Sequence, residues 1–192
     1  MERISISPNN SFLPQTLFLY GTYKEDGSPN FGLFCWFSYC WDAELGVMAC
    51  IGGEKLTKDL IRKSKVFSAN FVNEPLLPLA DYFGNTEGRN AEKMNIPFEF
   101  EHGQVLNVPV LKESPWVFEL EVAQTIPLDD SEVYICKIRN TLAAAYLRDD
   151  SMSPEERMRT LTPVVTAGKM NYYSINPTPL GNWGDWKELN QK

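Results

Sequence analysis

Phe31-Gly32-Leu33-Phe34-Cys35-Trp36-Phe37-Ser38-Tyr39 runs without a charge, and its rings are Phe31, Phe34, Trp36, Phe37 and Tyr39. Such a run reads as a strand buried on both faces, or buried on one and covered by a ligand or partner on the other. Its rings are more than one strand's share of a core needs, so they are either core or a wall for a planar ligand. Upstream, Thr16–Thr22 (TLFLYGT) is a second apolar run, and Glu25-Asp26-Gly27-Ser28 is a hairpin-type turn between the two. Downstream, Leu45–Ile51 (LGVMACI) and Val66–Val72 (VFSANFV) are further strands.

Two later strands alternate. Trp116, Phe118, Leu120 and Val122 share one face against Glu119 and Glu121; Tyr134, Cys136 and Ile138 oppose Lys137 and Arg139. That pattern predicts an antiparallel sheet with one wet face. Helices are short. Lys55–Ser64 puts Leu56, Leu60 and Ile61 inside and Lys58, Arg62 and Lys63 outside. Asn73 is placed to cap a helix from about Pro75 to Phe83 that Gly84 ends. Ser153-Pro154-Glu155-Glu156 is a capping box with proline at the first helical position. The strands do not alternate with long helices, so the expected fold is mainly β: a barrel with helical inserts, one domain over residues 1–192. From about residue 174 the chain reads as an irregular arm carrying Trp183 and Trp186.

The chain has 192 residues, 43% of them hydrophobic, enough for a real core. Its net charge of -7 gives it no general attraction for nucleic acid or anionic lipid. No apolar stretch approaches the ~18 residues of a membrane helix, and Met1-Glu2-Arg3 does not open a signal peptide. Cys35, Cys40, Cys50 and Cys136 form no CxxC pair, and the expectation is reduced thiols in the cytoplasm. With His102 as the single histidine, in a Glu-His-Gly loop, neither a multi-histidine metal site nor a Ser-His-Asp triad is expected, unless His102 alone serves; no metal is assigned.

Two loops are candidates for anion binding. Ile51-Gly52-Gly53-Glu54-Lys55-Leu56-Thr57 lies between a strand and a helix. Glycines there bring backbone N–H groups close to an anion at a helix N-terminus, with Lys55 and Thr57 adding a charge and a hydroxyl. It is not a Walker A loop, and the other reading is a plain turn. Gly84–Lys93 (GNTEGRNAEK) follows a helix; a short helix from Asn90 would set Arg89 and Lys93 on one side of it. The other reading is a solvated loop.

In order and spacing these segments resemble the flavoredoxin-like group of flavin reductase domains. Asp26-Gly27-Ser28-Pro29-Asn30 followed by the strand with Trp36 is similar to that family's opening. Lys55–Ile61, Phe67–Asn73, Gly84–Arg89 with Lys93, and Glu113-Ser114-Pro115 before Trp116 continue the likeness through most of Pro14–Val122. The resemblance implies a split β-barrel that binds FMN, as a homodimer with the flavin near the subunit interface. It places the phosphate on Lys55 and Thr57, helped by Gly88, Arg89 and Lys93. The ring would lie along Asn30, Phe34, Cys35, Trp36 and Ser38, with Cys50, Ile51 and Gly52 closing the other side. No catalytic residue is assigned; the protein would tune a flavin that does the redox chemistry.

Two departures bear on activity. Glu87 and Glu92 stand where the family has Ser and Asp. Asp129-Asp130-Ser131-Glu132 stands where longer reductases often carry Gly-Asp-His. The second weighs against direct NAD(P)H oxidation and towards an electron carrier reduced by a protein partner. The competing expectation is a split-barrel binding or structural protein without flavin.

Overall fold

The computed structural model describes residues 1–11, 13–168 and 171–180; Trp183 and Trp186 lie outside them. The strands are β1 (Gln15–Thr16), β2 (Phe18–Tyr23), β3 (Pro29–Phe34), β4 (Phe37–Asp42), β5 (Glu44–Gly52), β6 (Val66–Phe71), β7 (Phe100–His102), β8 (Pro109–Leu111), β9 (Trp116–Pro127), β10 (Ser131–Ala143), β11 (Val164–Ala167) and β12 (Asn171–Ser174). The helices are α1 (Leu56–Ser64), α2 (Leu77–Asn85) and α3 (Pro154–Leu161). Among the described residues no helix is long and apolar enough to cross a membrane.

Seven antiparallel strands form one sheet in the order β3-β2-β6-β9-β10-β5-β4. The long aromatic run is therefore not one strand. It breaks at Cys35–Trp36, and its halves are the two opposite edges of the sheet. A tight turn makes the break: Phe37 N–H donates to Cys35 O at 3.1 Å. The sheet closes on itself through this covalent link instead of a ladder, which makes the barrel split. Phe34 and Phe37, on either side of the break, both turn into the barrel; Phe34 stacks on Tyr20 at 4.6 Å and Phe37 lies 4.2 Å from Phe18.

The barrel interior is one face of the central strands: Tyr20, Val47, Ala49, Ile51, Phe67, Ala69, Leu120 and Tyr134 are fully buried. Burying each of the larger aliphatic side chains or Phe67 contributes about 1.5–3 kcal/mol. Ile61 joins this cluster, so α1 packs onto the barrel interior. α2 covers the outside of β2 and β3, where Leu76, Ala80 and Phe83 meet Leu19 and Phe31. A smaller sheet, β1-β11-β12, lies beyond it.

Local signals located several elements. The Ser153 capping box forms in both directions and starts α3. Asn73 Oδ1 accepts from Leu76 N–H at 3.2 Å, but α2 begins at Leu77 and runs through Gly84, which packs against Leu33. His102 ends β7 rather than lying in a loop, and it pairs with Tyr23 OH at 2.8 Å.

Two charged residues expected in water are buried. Lys58 turns under α1. Glu119 is covered by the β7–β8 hairpin and accepts from the N–H groups of Gln104, Val105 and Leu106 and from Asn140. Burial alone would raise the Glu119 carboxyl; those donors outweigh it and hold it below the ordinary range.

Candidate functional site

The two candidate loops come together. A cleft of about 400 Å3 is lined by Gly32, Leu33, Phe34, the Glu54–Thr57 segment, and the Phe83–Arg89 segment with Lys93. β5 leads into it through Gly52 and Gly53. Gly53 takes φ +65°, a left-handed turn that favours glycine, and its N–H donates to Asp130 O at 2.7 Å. The turn delivers Lys55 to the N-cap of α1, where no side chain caps the helix, so the positive end of α1 faces the cleft. The second loop is held against the first by Gly88. A Cβ there would come within 2.8 Å of Leu56 Cβ, so only glycine fits without displacement.

Thr57 is buried, and its hydroxyl oxygen accepts from Asn30 Nδ2 at 3.1 Å. Its own proton goes to no group among the described residues. Asn30 also donates to Thr22 Oγ at 3.1 Å, while its Oδ1 is buried without a partner. The short helix from Asn90 is a 3-10 turn at Ala91–Met94, capped by the Asn90 side chain. That turn carries Lys93 inward, 3% exposed, with Nζ donating to Phe83 O at 2.8 Å. Burial, then the charges of Lys55 and Lys24, push Lys93 down to about 8. Arg89 stays 57% exposed and pairs with Asp59 Oδ2 at 2.6 Å.

Of the residues singled out from sequence, Phe34, Lys55, Thr57, Gly88, Arg89 and Lys93 line this cleft, with Asn30 directly behind Thr57 and Gly88. The others lie elsewhere. The Ile51 side chain is in the barrel core, so only its backbone can face a ligand. Cys35 lines a neighbouring cavity, and Ser38 an apolar one near Phe18 and Trp116. Trp36 is 48% exposed and lies beside Gly52, while its carbonyl accepts from Cys50 N–H at 2.9 Å. The sequence reading missed Lys24, whose charge reaches Lys93; Asn85 and Thr86, within its second candidate loop, also line the cleft. Its one signal for Lys24 is position: a cation two residues before the Asp26-Gly27 turn.

The Flavin reductase like domain family matches residues 10–161. The chain belongs to that family. Flavoredoxin from Methanosarcina acetivorans shares the fold at a TM-score of 0.86 and 19% identity, over 98% of this chain and 100% of that one. Flavoredoxin of Desulfovibrio vulgaris (Miyazaki F) does so at 0.84 and 21% identity, over 95% and 98%. An FMN-binding protein from Thermus thermophilus, solved with bound p-hydroxybenzaldehyde, follows at 0.76 and 19%, over 95% and 98%.

Proposed function

We propose that this chain binds FMN in the cleft between the Gly52–Thr57 and Gly84–Lys93 segments and works as a flavin electron carrier. The carrying observation is Lys93, a buried ammonium with two cationic neighbours and no carboxylate in ion-pair reach among the described residues. A phosphate supplies the missing countercharge. The rest of the cleft fits the same molecule. Thr57 has a hydroxyl proton to donate, the α1 N-terminus faces the cleft, and the unpartnered Asn30 Oδ1 needs a donor such as a sugar-chain hydroxyl. The volume of about 400 Å3 falls within the ~300–1,000 Å3 of ordinary small-molecule sites. The bound flavin would accept and release electrons or hydride. Lys55, Thr57 and Lys93 would hold its phosphate; Phe34 and Phe83 are the rings lining the cleft, and Trp36 stands beside Gly52.

The carrier reading is preferred to NAD(P)H oxidation because Asp129-Asp130-Ser131-Glu132, whose Asp130 carbonyl accepts from Gly53 N–H at 2.7 Å, carries no histidine where longer reductases often have Gly-Asp-His. We also propose a homodimer. Cys50, Val133 and Ile126 form one cross-strand row, and Met48 and Ile135 the next. These sit on the face opposite the barrel core, beside Trp36, where an uncovered antiparallel sheet would be polar. All four cysteines are free, which supports the cytoplasm.

Titration with FMN tests the reading. Purified protein is expected to be yellow or to quench FMN fluorescence stoichiometrically, and Lys55→Ala to weaken binding by roughly 1–3 kcal/mol. Unchanged affinity would remove this loop from the site. Turnover of NADH or NADPH with free FMN would replace the carrier by a reductase, and a monomer by light scattering at micromolar concentration would refute the dimer.

A further inference from the structure

On the other side of the cofactor cleft's wall lies a second cavity, of about 210 Å3, between α2, the end of β3 and the β11–β12 hairpin. Leu33, Phe34, Gly84 and Asn85 line both. Their chemistry is opposite. The first holds Lys55, Arg89 and Lys93; among the described residues no Lys or Arg lines the second, and its carboxylate is Asp81.

Asp81 is held in place from two elements. Its Oδ1 accepts from Tyr172 OH on β12 at 2.6 Å and from Asn85 Nδ2, one turn along α2, at 3.1 Å. Among the described residues nothing donates to Oδ2, which keeps its acceptor capacity. Burial, then the hydrogen bond to Asp81 and its charge, push the Tyr172 phenol up to about 12, so it remains the donor at neutral pH. Facing this dyad are Leu17, Leu33, Phe34 and the Cys35 thiol, which burial keeps neutral by raising it.

We propose that this cavity is a second binding site, for a small organic cation about one ring in size, with its N–H groups on Asp81 Oδ2 and its ring against Leu33, Phe34 and Cys35. A fixed carboxylate in a cavity that, among the described residues, no lysine or arginine lines repels anions. A purely apolar occupant would strip water from that carboxylate without replacing its hydrogen bonds. The volume, below the ~300–1,000 Å3 of drug-sized sites, limits the ligand to about one ring. The binding of this ligand does not rest on the proposed function.

Calorimetry on the full chain, flavin-free and then saturated with FMN, tests the site with benzamidine, benzyl alcohol and benzoate. Benzamidine is expected to bind at one equivalent in both states, benzyl alcohol at least tenfold more weakly, and benzoate without measurable heat. Asp81→Asn is expected to lower benzamidine affinity tenfold or more; Tyr172→Phe, which keeps the charge, by less. The ranking of the three probes on the wild-type chain decides the matter even if Asp81→Asn does not fold. Benzoate binding as well as benzamidine, no benzamidine binding, or undiminished binding by folded Asp81→Asn overturns the site. Stoichiometric displacement of benzamidine by FMN overturns it too, because the two cavities would then be one. Benzamidine binding to a chain that fails to bind FMN would sink the flavin reading and leave this one standing.

Discussion

Lys58 and Lys93 are both buried, and each gives its ammonium to a backbone carbonyl: Lys58 to Gly53 at 2.7 Å, Lys93 to Phe83 at 2.8 Å. They differ in what surrounds that bond. Lys58 also has the Glu54 carboxylate at 3.4 Å. Lys93 has Lys55 and Lys24, and among the described residues no carboxylate within ion-pair reach. Lys58 is completed by the fold, and holds closed the left-handed turn that aims Lys55. Lys93 is completed only by something from outside. A buried charge costs free energy unless paired, so a lysine kept buried among cations marks where an anion belongs.

The largest effect expected is on Lys58. Lys58→Met leaves the Gly53 carbonyl and Glu54 without their cation, and should lower stability by about 3 kcal/mol in urea denaturation. An unchanged unfolding midpoint would put Lys58 in the same class as Lys93 and end the contrast. Lys93→Met should do the reverse. Flavin-free stability stays level or rises, because a desolvated charge is gone, while FMN affinity falls by about 2 kcal/mol in a fluorescence titration. A large stability loss with FMN binding intact would make Lys93 a second Lys58.

pH sharpens the same comparison. Lys93 sits at about 8 when folded, against 10.5 for an unperturbed lysine. Between those values the unfolded chain holds more protons than the folded one, so stability contributed by this group rises with pH. The destabilisation is fully present below about pH 8. Wild type minus Lys93→Met, followed by thermal melts, should therefore move upward across that window; a flat difference would place Lys93 in water. FMN binding has the opposite sign. A phosphate dianion favours the protonated ammonium, so affinity should fall as pH passes about 8 in the wild type and not through this group in the variant.

Much of this was legible locally. The capping box at Ser153 and the turn at Gly52-Gly53 are short-range chemistry, and short-range chemistry placed both. The pairing of the two anion loops was implied by the family resemblance, and the cleft brings them together. What was hidden depends on distant cover. The break at Cys35–Trp36 carries no proline, charge or turn residue; barrel closure imposes it by sending β3 and β4 to opposite edges of the sheet. Strand alternation put Glu119 in water, but a hairpin from elsewhere lies over it. Helical periodicity put Lys58 outside, but the Gly53 turn folds beneath α1. Asp81 and Tyr172 are 91 residues apart, and no local pattern links them.

The smallest effect belongs to Arg89, the anchor that looks strongest by motif. It is 57% exposed and already spends its guanidinium on Asp59 at 2.6 Å. An exposed ion pair is worth about 0–1 kcal/mol, and binding phosphate would mean breaking or sharing it. Arg89→Ala should thus weaken FMN by less than about 1 kcal/mol, well short of Lys93→Met. Asp59→Asn should strengthen FMN slightly, because it releases the guanidinium and removes a negative charge beside it. In the double variant that gain should shrink to the part that does not pass through Arg89, since Asp59 also pairs with Arg62 at 3.1 Å. A loss at Arg89 equal to that at Lys93 would show that the exposed loop cation grips the phosphate as firmly as the buried one, and burial would no longer distinguish anchor from surface charge.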